Sequence, residues 1–187
     1  MKPKTSLKPR GDGMALLVID VQLGLFQKST PIYRANALLA NINKLIECAR
    51  LAGVSVIYAQ HCNDSFLKKD TPGWQLHPEL LPPSVDELRI YKRHGSSFKD
   101  TPLEQELLTR RVGALTVTGL VTQGCVRSAC LDASAMGYRT ILVADGHSNF
   151  SKDAARLIDE WNVRLQQAGV QVIPATEIDF IAEITTA

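Results

Sequence analysis

No apolar stretch in this sequence approaches the ~20 residues needed to cross a bilayer, and no signal-peptide core is present. The reading is therefore a chain without a membrane partner. Cysteine is sparse, with four among 187 residues and no framework spacing. That excludes a disulfide scaffold and points to free thiols in a reducing cytoplasm. An excess of one charge is also missing. The formal net charge of +2 offers little to a nucleic-acid backbone, so no nucleic-acid partner is expected. Several of the positive charges lie in the opening MKPKTSLKPR, which has no periodicity. Residues 1–13 read as a disordered basic tail and 14–187 as a single domain. No G-x-G-x-x-G occurs, and there is no internal repeat or domain linker.

The rest is ordinary globular material, 45% hydrophobic and 21% charged, in a chain long enough to bury a substantial core. Apolar runs of strand length lie at Ala15–Ile19, Val54–Ala59, Leu88–Tyr91, Ala114–Thr118, Thr140–Ala144 and Val170–Ile173. Helical stripes lie between them. One runs from Ala37 to Ala52 and ends at Gly53. A short one covers Leu103–Arg111, and another opens at Cys125 and stops at Gly137. The last is N-capped by Ser151 and carries Ala154, Ile158, Trp161, Leu165 and Ala168. Between His61 and Pro83 lies a long polar, proline-broken segment of the kind that is usually functional. Alternating strands and helices predict a three-layer αβα, Rossmann-like α/β fold with a six-stranded, mostly parallel sheet. The commonest strand order, 3-2-1-4-5-6, places strands one and four side by side.

That order makes one stretch central: Gly119-Leu-Val-Thr-Gln-Gly-Cys125-Val126. A strand ends, a glycine-bounded turn follows, and a helix opens on a cysteine. Amides at a helix N-terminus are unpaired and partially positive, so a thiol there is biased toward thiolate. Asp20, which closes strand one, comes to the same crevice, and Lys92 reaches it from the end of strand three. Together these residues supply a nucleophile, a base and a cation. Each also has a plain structural reading. Cys125 also reads as a buried core thiol, Asp20 as a loop-capping carboxylate, and Lys92 as a solvated surface lysine. Gly119-x4-Gly124 has the glycines of a phosphate loop, but Cys125 stands where that loop needs Lys.

Three motifs carry a family resemblance. Leu17-Val-Ile-Asp20-Val-Gln22-Leu-Gly-Leu-Phe26, Lys92-Arg-His-Gly-Ser96-Ser-Phe98 and Gly119-Leu-Val-Thr122-Gln-Gly-Cys125-Val126 occur in that order. Gly137-Tyr and Val143-Ala-Asp145 follow them. The chain resembles the isochorismatase-like cysteine hydrolases over roughly residues 14–176. The resemblance implies that Asp20, Lys92 and Cys125 form a catalytic triad. It also implies a cis peptide at Leu120–Val121, with the amides of Val121 and Cys125 as an oxyanion hole. The implied reaction is hydrolysis of a small-molecule amide through a thioester, with no cofactor, by a homodimer or higher homo-oligomer. Trp161 is a candidate for an extra apolar contact in such an assembly.

Further pocket-lining candidates are Gln22, Phe26, His61, Trp74, Phe98 and Gln123. Trp74 has two readings, as a wall of the pocket or as a plug beneath its own loop. The Asp-x-His metal stretch of the nicotinamidase branch is missing. In its place stands Gln60-His61-Cys62-Asn63-Asp64, with His77 further on, and no metal is expected. Cys48, Cys62 and Cys130 read as structural. Two alternatives remain open: hydrolysis of the vinyl ether of isochorismate, and a non-catalytic binding or interaction protein on the same fold. The joint presence of Asp20, Lys92 and Cys125 argues against the second.

Overall fold

A computed structural model describes residues 11–181. Six strands form one sheet: β1 (Gly13–Ile19), β2 (Ser55–His61), β3 (Leu88–Lys92), β4 (Val112–Leu120), β5 (Arg139–Ser148) and β6 (Gln171–Ile173). Their order is β3-β2-β1-β4-β5-β6 and every pairing is parallel. The helices are α1 (Leu23–Phe26), α2 (Ala35–Leu51), α3 (Leu103–Thr109), α4 (Arg127–Ala135) and α5 (Ala154–Gln167). The proposed tail at residues 1–10 lies outside the described residues. Residues 11–13 do not belong to a tail: Gly13 starts β1 and its amide donates to Arg111 O.

The period of two along each strand divides the core. Leu16 and Val18 of β1 join Val56 and Tyr58 in one cluster, against Leu38, Ile42, Leu45 and Ile46 of α2. Leu17 and Ile19 join Ile57, Leu115 and Val117 in the other, against Leu107 of α3 and Ala129 and Ala133 of α4. Apolar runs that feed both faces are what a sheet sandwiched between helices requires. Each fully buried Leu or Ile adds about 1.5–3 kcal/mol. α2 ends where expected: Gly53 takes φ 68° and Val54 N donates to Ala49 O.

Two elements differ from expectation. β5 does not stop before Asp145. Its register against β4 shifts between Val117 and Gly119, a bulge after which it resumes pairing at His147 and Ser148. Asp145 is used structurally inside that bulge: its carboxylate accepts from Ala175 N and from Asn41 Nδ2. Ser151 does not N-cap α5. The helix starts three residues later, with Asp153 in the cap position and no side-chain cap bond. Ser151 Oγ instead accepts from the Asp153 amide, a local turn that delays the helix.

Candidate active site

β1 and β4 run side by side and both end at the centre of the sheet's carboxyl edge. Their close approach depends on one glycine. Gly119 has φ 118°, and a Cβ there would lie 2.1 Å from Ile19 O. Immediately beyond β1, Asp20 adopts φ 52°, a left-handed conformation that Asp tolerates better than most residues. Its amide donates to Ala59 O, which anchors the bend to β2. The side chain is thereby held at the crevice, where it is only 2% exposed.

Lys92, the last residue of β3, is as deeply buried. Its Nζ donates to Asp20 Oδ2 at 2.7 Å and to His94 O at 3.4 Å. Burial alone would push the Lys92 pKa down. The charge of Asp20 and the Cys125 sulfur outweigh burial and hold it above the usual lysine value, so the ammonium stays charged. A buried ion pair of this kind contributes little net stability, yet breaking it by removing one partner costs about 3–5 kcal/mol. Among the described residues, Asp20 Oδ1 has no hydrogen-bond partner.

The nucleophile candidate arrives on the other strand. The Leu120–Val121 peptide is cis. Residues Thr122–Val126 then form a single π turn, kinked at Gly124 (φ −108°, ψ −109°). α4 itself begins only at Arg127, so Cys125 sits in the turn before the helix rather than opening it. The thiol is also not biased toward thiolate. Burial, then the neighbouring Asp20 carboxylate, push its pKa up to about 12, and Lys92 opposes them only in part. The expectation from helix position fails because desolvation and a like charge outweigh the partial charge of a few amides. Chemically, the resting group is a thiol beside a carboxylate.

His61 completes the cluster from the end of β2. One ring nitrogen of His61, one carboxylate oxygen of Asp20 and Cys125 Sγ all lie within 4.8 Å of one another. Burial, then the Lys92 charge, lower the His61 pKa, so the ring is neutral at neutral pH. Gln22 fixes its backbone: Gln22 Oε1 accepts from His61 N at 2.8 Å, and Nε2 donates to His61 O and to Trp74 O. The Gln22 amide is thus occupied as a strut. Trp74 packs beneath its own loop, its indole donating to Cys62 Sγ at 3.1 Å and its ring tilted against Tyr91. Phe98 is buried against Tyr138 in the core, and Phe26 packs on His77. Gln123, two residues before Cys125, keeps a buried Oε1 without a partner among the described residues. A cavity of about 390 Å³ borders Lys92, lined also by Lys69, Tyr91, Arg93 and His94.

The ligand set that a nicotinamidase-type metal would need does not come together. Asp64 is exposed and faces Arg93, His77 lies on Phe26, and Cys62 is taken by Trp74.

A family model, the isochorismatase domain, matches residues 14–177. The chain belongs to the isochorismatase family. It is 32% identical over 143 residues to streptothricin hydrolase of Streptomyces noursei, covering 75% of this chain and 56% of that one. It is 29% identical over 153 residues to N-carbamoylsarcosine amidase of an Arthrobacter species, covering 71% and 58%. The chain therefore spans little more than half the length of these relatives. A cysteine hydrolase from Pseudomonas syringae shares the fold, with a TM-score of 0.83 at 22% identity, covering 100% of this chain and 99% of that one.

Sequence reasoning missed one part of this isochorismatase-family site. His147, on the resumed end of β5, accepts from the Thr122 hydroxyl at Nδ1 (2.9 Å) and donates from Nε2 to Asn162 Oδ1 (2.9 Å). The tautomer follows from Asn162, whose Nδ2 donates to Ala144 O, leaving its oxygen to accept. Asn149 Nδ2 also reaches the Thr122 hydroxyl, at 3.4 Å. This chain ties the π turn to α5. Its only signal in the sequence was a histidine just past a predicted strand. A cavity of about 490 Å³ between α2, β5 and α5 touches His147 and Asn162 but not Asp20, Lys92 or Cys125.

Proposed function

We propose that the protein is a cysteine hydrolase of a small-molecule amide, with Cys125 as nucleophile, Asp20 as general base and acid, and Lys92 as the cation that holds the Asp20 carboxylate in place. The observation that carries this reading is the buried meeting of Asp20 and Cys125, with the Lys92 ammonium bonded to one carboxylate oxygen and the other left free. The names of the relatives, a hydrolase and an amidase, support it.

The chemistry follows from the protonation states. Cys125 rests as a thiol, so its proton passes to Asp20 as sulfur attacks the amide carbon. The oxyanion that forms is received by the amides of Val121 and Cys125. Collapse breaks the C–N bond, and Asp20 returns the proton to the departing nitrogen. Asp20 then takes a proton from water, whose oxygen attacks the thioester, and the acid leaves as the thiol is restored. One water is consumed per amide cleaved. The neutral His61 ring faces the remaining polar atoms of the substrate. In this reading the enzyme needs no cofactor and works in the cytoplasm as a homodimer or higher homo-oligomer. The α5 face supports an assembly: Ala154 and Leu165 are its fully buried residues, and Val163 is 53% exposed. Trp161 is not free for such a contact, since Arg127 and Arg164 flank its ring.

The test is a panel of small amides and carbamoyl compounds assayed for ammonia release. Mass spectrometry of acid-quenched reactions should show an acyl adduct on the Cys125 peptide. Turnover without any adduct, or turnover retained in Cys125→Ala, would remove the thioester route.

A further inference from the structure

The unsatisfied atoms around Cys125 also make a ligand set. A carboxylate oxygen and an imidazole nitrogen from the ends of β1 and β2 and a thiol sulfur from the π turn after β4 lie within 4.8 Å of one another. Among the described residues, Asp20 Oδ1 and His61 Nδ1 are buried atoms without partners, and Asp20 is 2% exposed. Both groups stand beside the Cys125 sulfur. We propose that Asp20, His61 and Cys125 form a reversible site for a thiophilic divalent cation, typified by Zn²⁺, whose occupation shuts off the hydrolase.

The donor set suits such an ion. Sulfur and imidazole select zinc-like metals, whereas Mg²⁺ and Ca²⁺ require oxygen shells. Bond lengths of roughly 2.0–2.3 Å put tetrahedral ligand atoms roughly 3.3–3.7 Å apart. The three groups therefore need to close by about 1 Å, within reach of small side-chain rotations. On binding, the Cys125 S–H bond breaks, an S–metal bond forms, and the proton leaves to solvent. No electron is transferred. His61 binds as the neutral ring and keeps its backbone bonds to Gln22. Three protein ligands leave a fourth position open to water.

One feature opposes the ion. The Lys92 ammonium sits 2.7 Å from Asp20 Oδ2, also faces the Cys125 sulfur, and repels a cation held between them. That repulsion separates this site from a structural metal centre and makes occupancy reversible. It also sets the consequence: a bound cation holds both the attacking sulfur and the base that must take its proton. Binding stands on the geometry alone, and the inhibitory consequence rests on the hydrolase reading.

The experiment uses the full, metal-stripped chain. Titration with Co²⁺ should give one equivalent bound with a thiolate-to-cobalt band in the near ultraviolet, displaced by Zn²⁺ and untouched by Mg²⁺. Cys125→Ser should abolish the band, and His61→Gln, which keeps the shape of the ring site, should weaken binding by at least about tenfold. Cys62→Ser should leave both unchanged. Without any variant, Zn²⁺ should slow alkylation of Cys125 by at least about tenfold in peptide maps. A band that survives in Cys125→Ser, or no protection of Cys125 by Zn²⁺, would overturn the site. Amide turnover by the stripped enzyme is measured in parallel. Turnover without metal binding sinks this inference alone, and metal binding without turnover sinks the hydrolase reading alone. Turnover that Zn²⁺ fails to inhibit, despite the band, overturns the inhibitory consequence.

Discussion

Two buried polar groups stand a few residues apart at the carboxyl edge of this sheet, and they are built in opposite ways. In the Thr122–His147–Asn162 chain both ring nitrogens have a partner at 2.9 Å, and the Asn162 amide is itself tied to Ala144 O. Beside Cys125, Asp20 Oδ1 and His61 Nδ1 are buried without partners among the described residues. A buried polar atom left unpaired costs about 1–3 kcal/mol. A fold tolerates several of them together where something other than the fold uses them. The satisfied chain ties the turn to α5, and under the proposed function the unsatisfied cluster is where a substrate would complete the bonding.

The sharpest way to break this contrast is to remove members of the unsatisfied cluster. Asp20→Asn and Lys92→Met should each lower kcat for amide hydrolysis by on the order of two to four decades, and the double mutant by far less than their product. Steady-state kinetics on the best amide of the panel measures both. Asp20→Asn should also lower stability in urea by about 3–5 kcal/mol, because Lys92 is left as a buried, unpaired charge. Activity within a few fold of wild type in either single variant would remove the triad.

The next largest effect belongs to the glycine that lets the two strands meet. Gly119→Ala places a Cβ 2.1 Å from Ile19 O at φ 118°. The backbone conformation alone costs about 1–3 kcal/mol for a residue with a side chain. Urea unfolding should show at least that loss. Turnover should fall with it, since Asp20 and Cys125 are placed by the two strands that move apart.

The satisfied chain should respond more mildly. His147→Gln removes one of two ring bonds and should cost about 1–3 kcal/mol, with a fall in kcat well short of that for the triad variants. It also changes the acid limb of stability. Burial holds the His147 pKa below its ordinary 6.5. The unfolded chain therefore takes up the proton first, and stability falls as pH drops from about 6.5 toward the lower folded value. Above that window His147 contributes no pH dependence. His61 and His77 are shifted in the same direction, so His147→Gln should reduce the slope without abolishing it. Melting temperatures across the acid range report this.

The smallest and most discriminating effect concerns the thiol itself. With a Cys125 pKa pushed up to about 12, its alkylation rate should keep rising with pH beyond the range of an ordinary thiol. Asp20→Asn removes a group that raises that pKa and should speed alkylation at a given pH while destroying turnover. Lys92→Met should slow it. Peptide-mapped alkylation rates give both signs, and a plateau in the ordinary thiol range would contradict the burial argument.

The strand order, both core faces and the meeting of Asp20, Lys92 and Cys125 at one crevice were legible in the linear chain. Apolar period, capping glycines and the rule for parallel crossovers act over a few residues or over whole elements, and pattern reveals both. Gly119, Gly53 and the run from Leu16 to Ile19 did what local chemistry dictates. Tertiary structure decided everything that depends on distance between remote residues. The protonation state of Cys125 turned on its burial and on a carboxylate from another strand. Gln22 became a strut because His61 and Trp74 used up its amide. Trp74 found Cys62 rather than a pocket, and β5 ran on to deliver His147 because a bulge restored its register. Desolvation, charge and hydrogen-bond satisfaction fall off within a few ångströms, so no spacing along the chain reveals them until the chain has brought those atoms together.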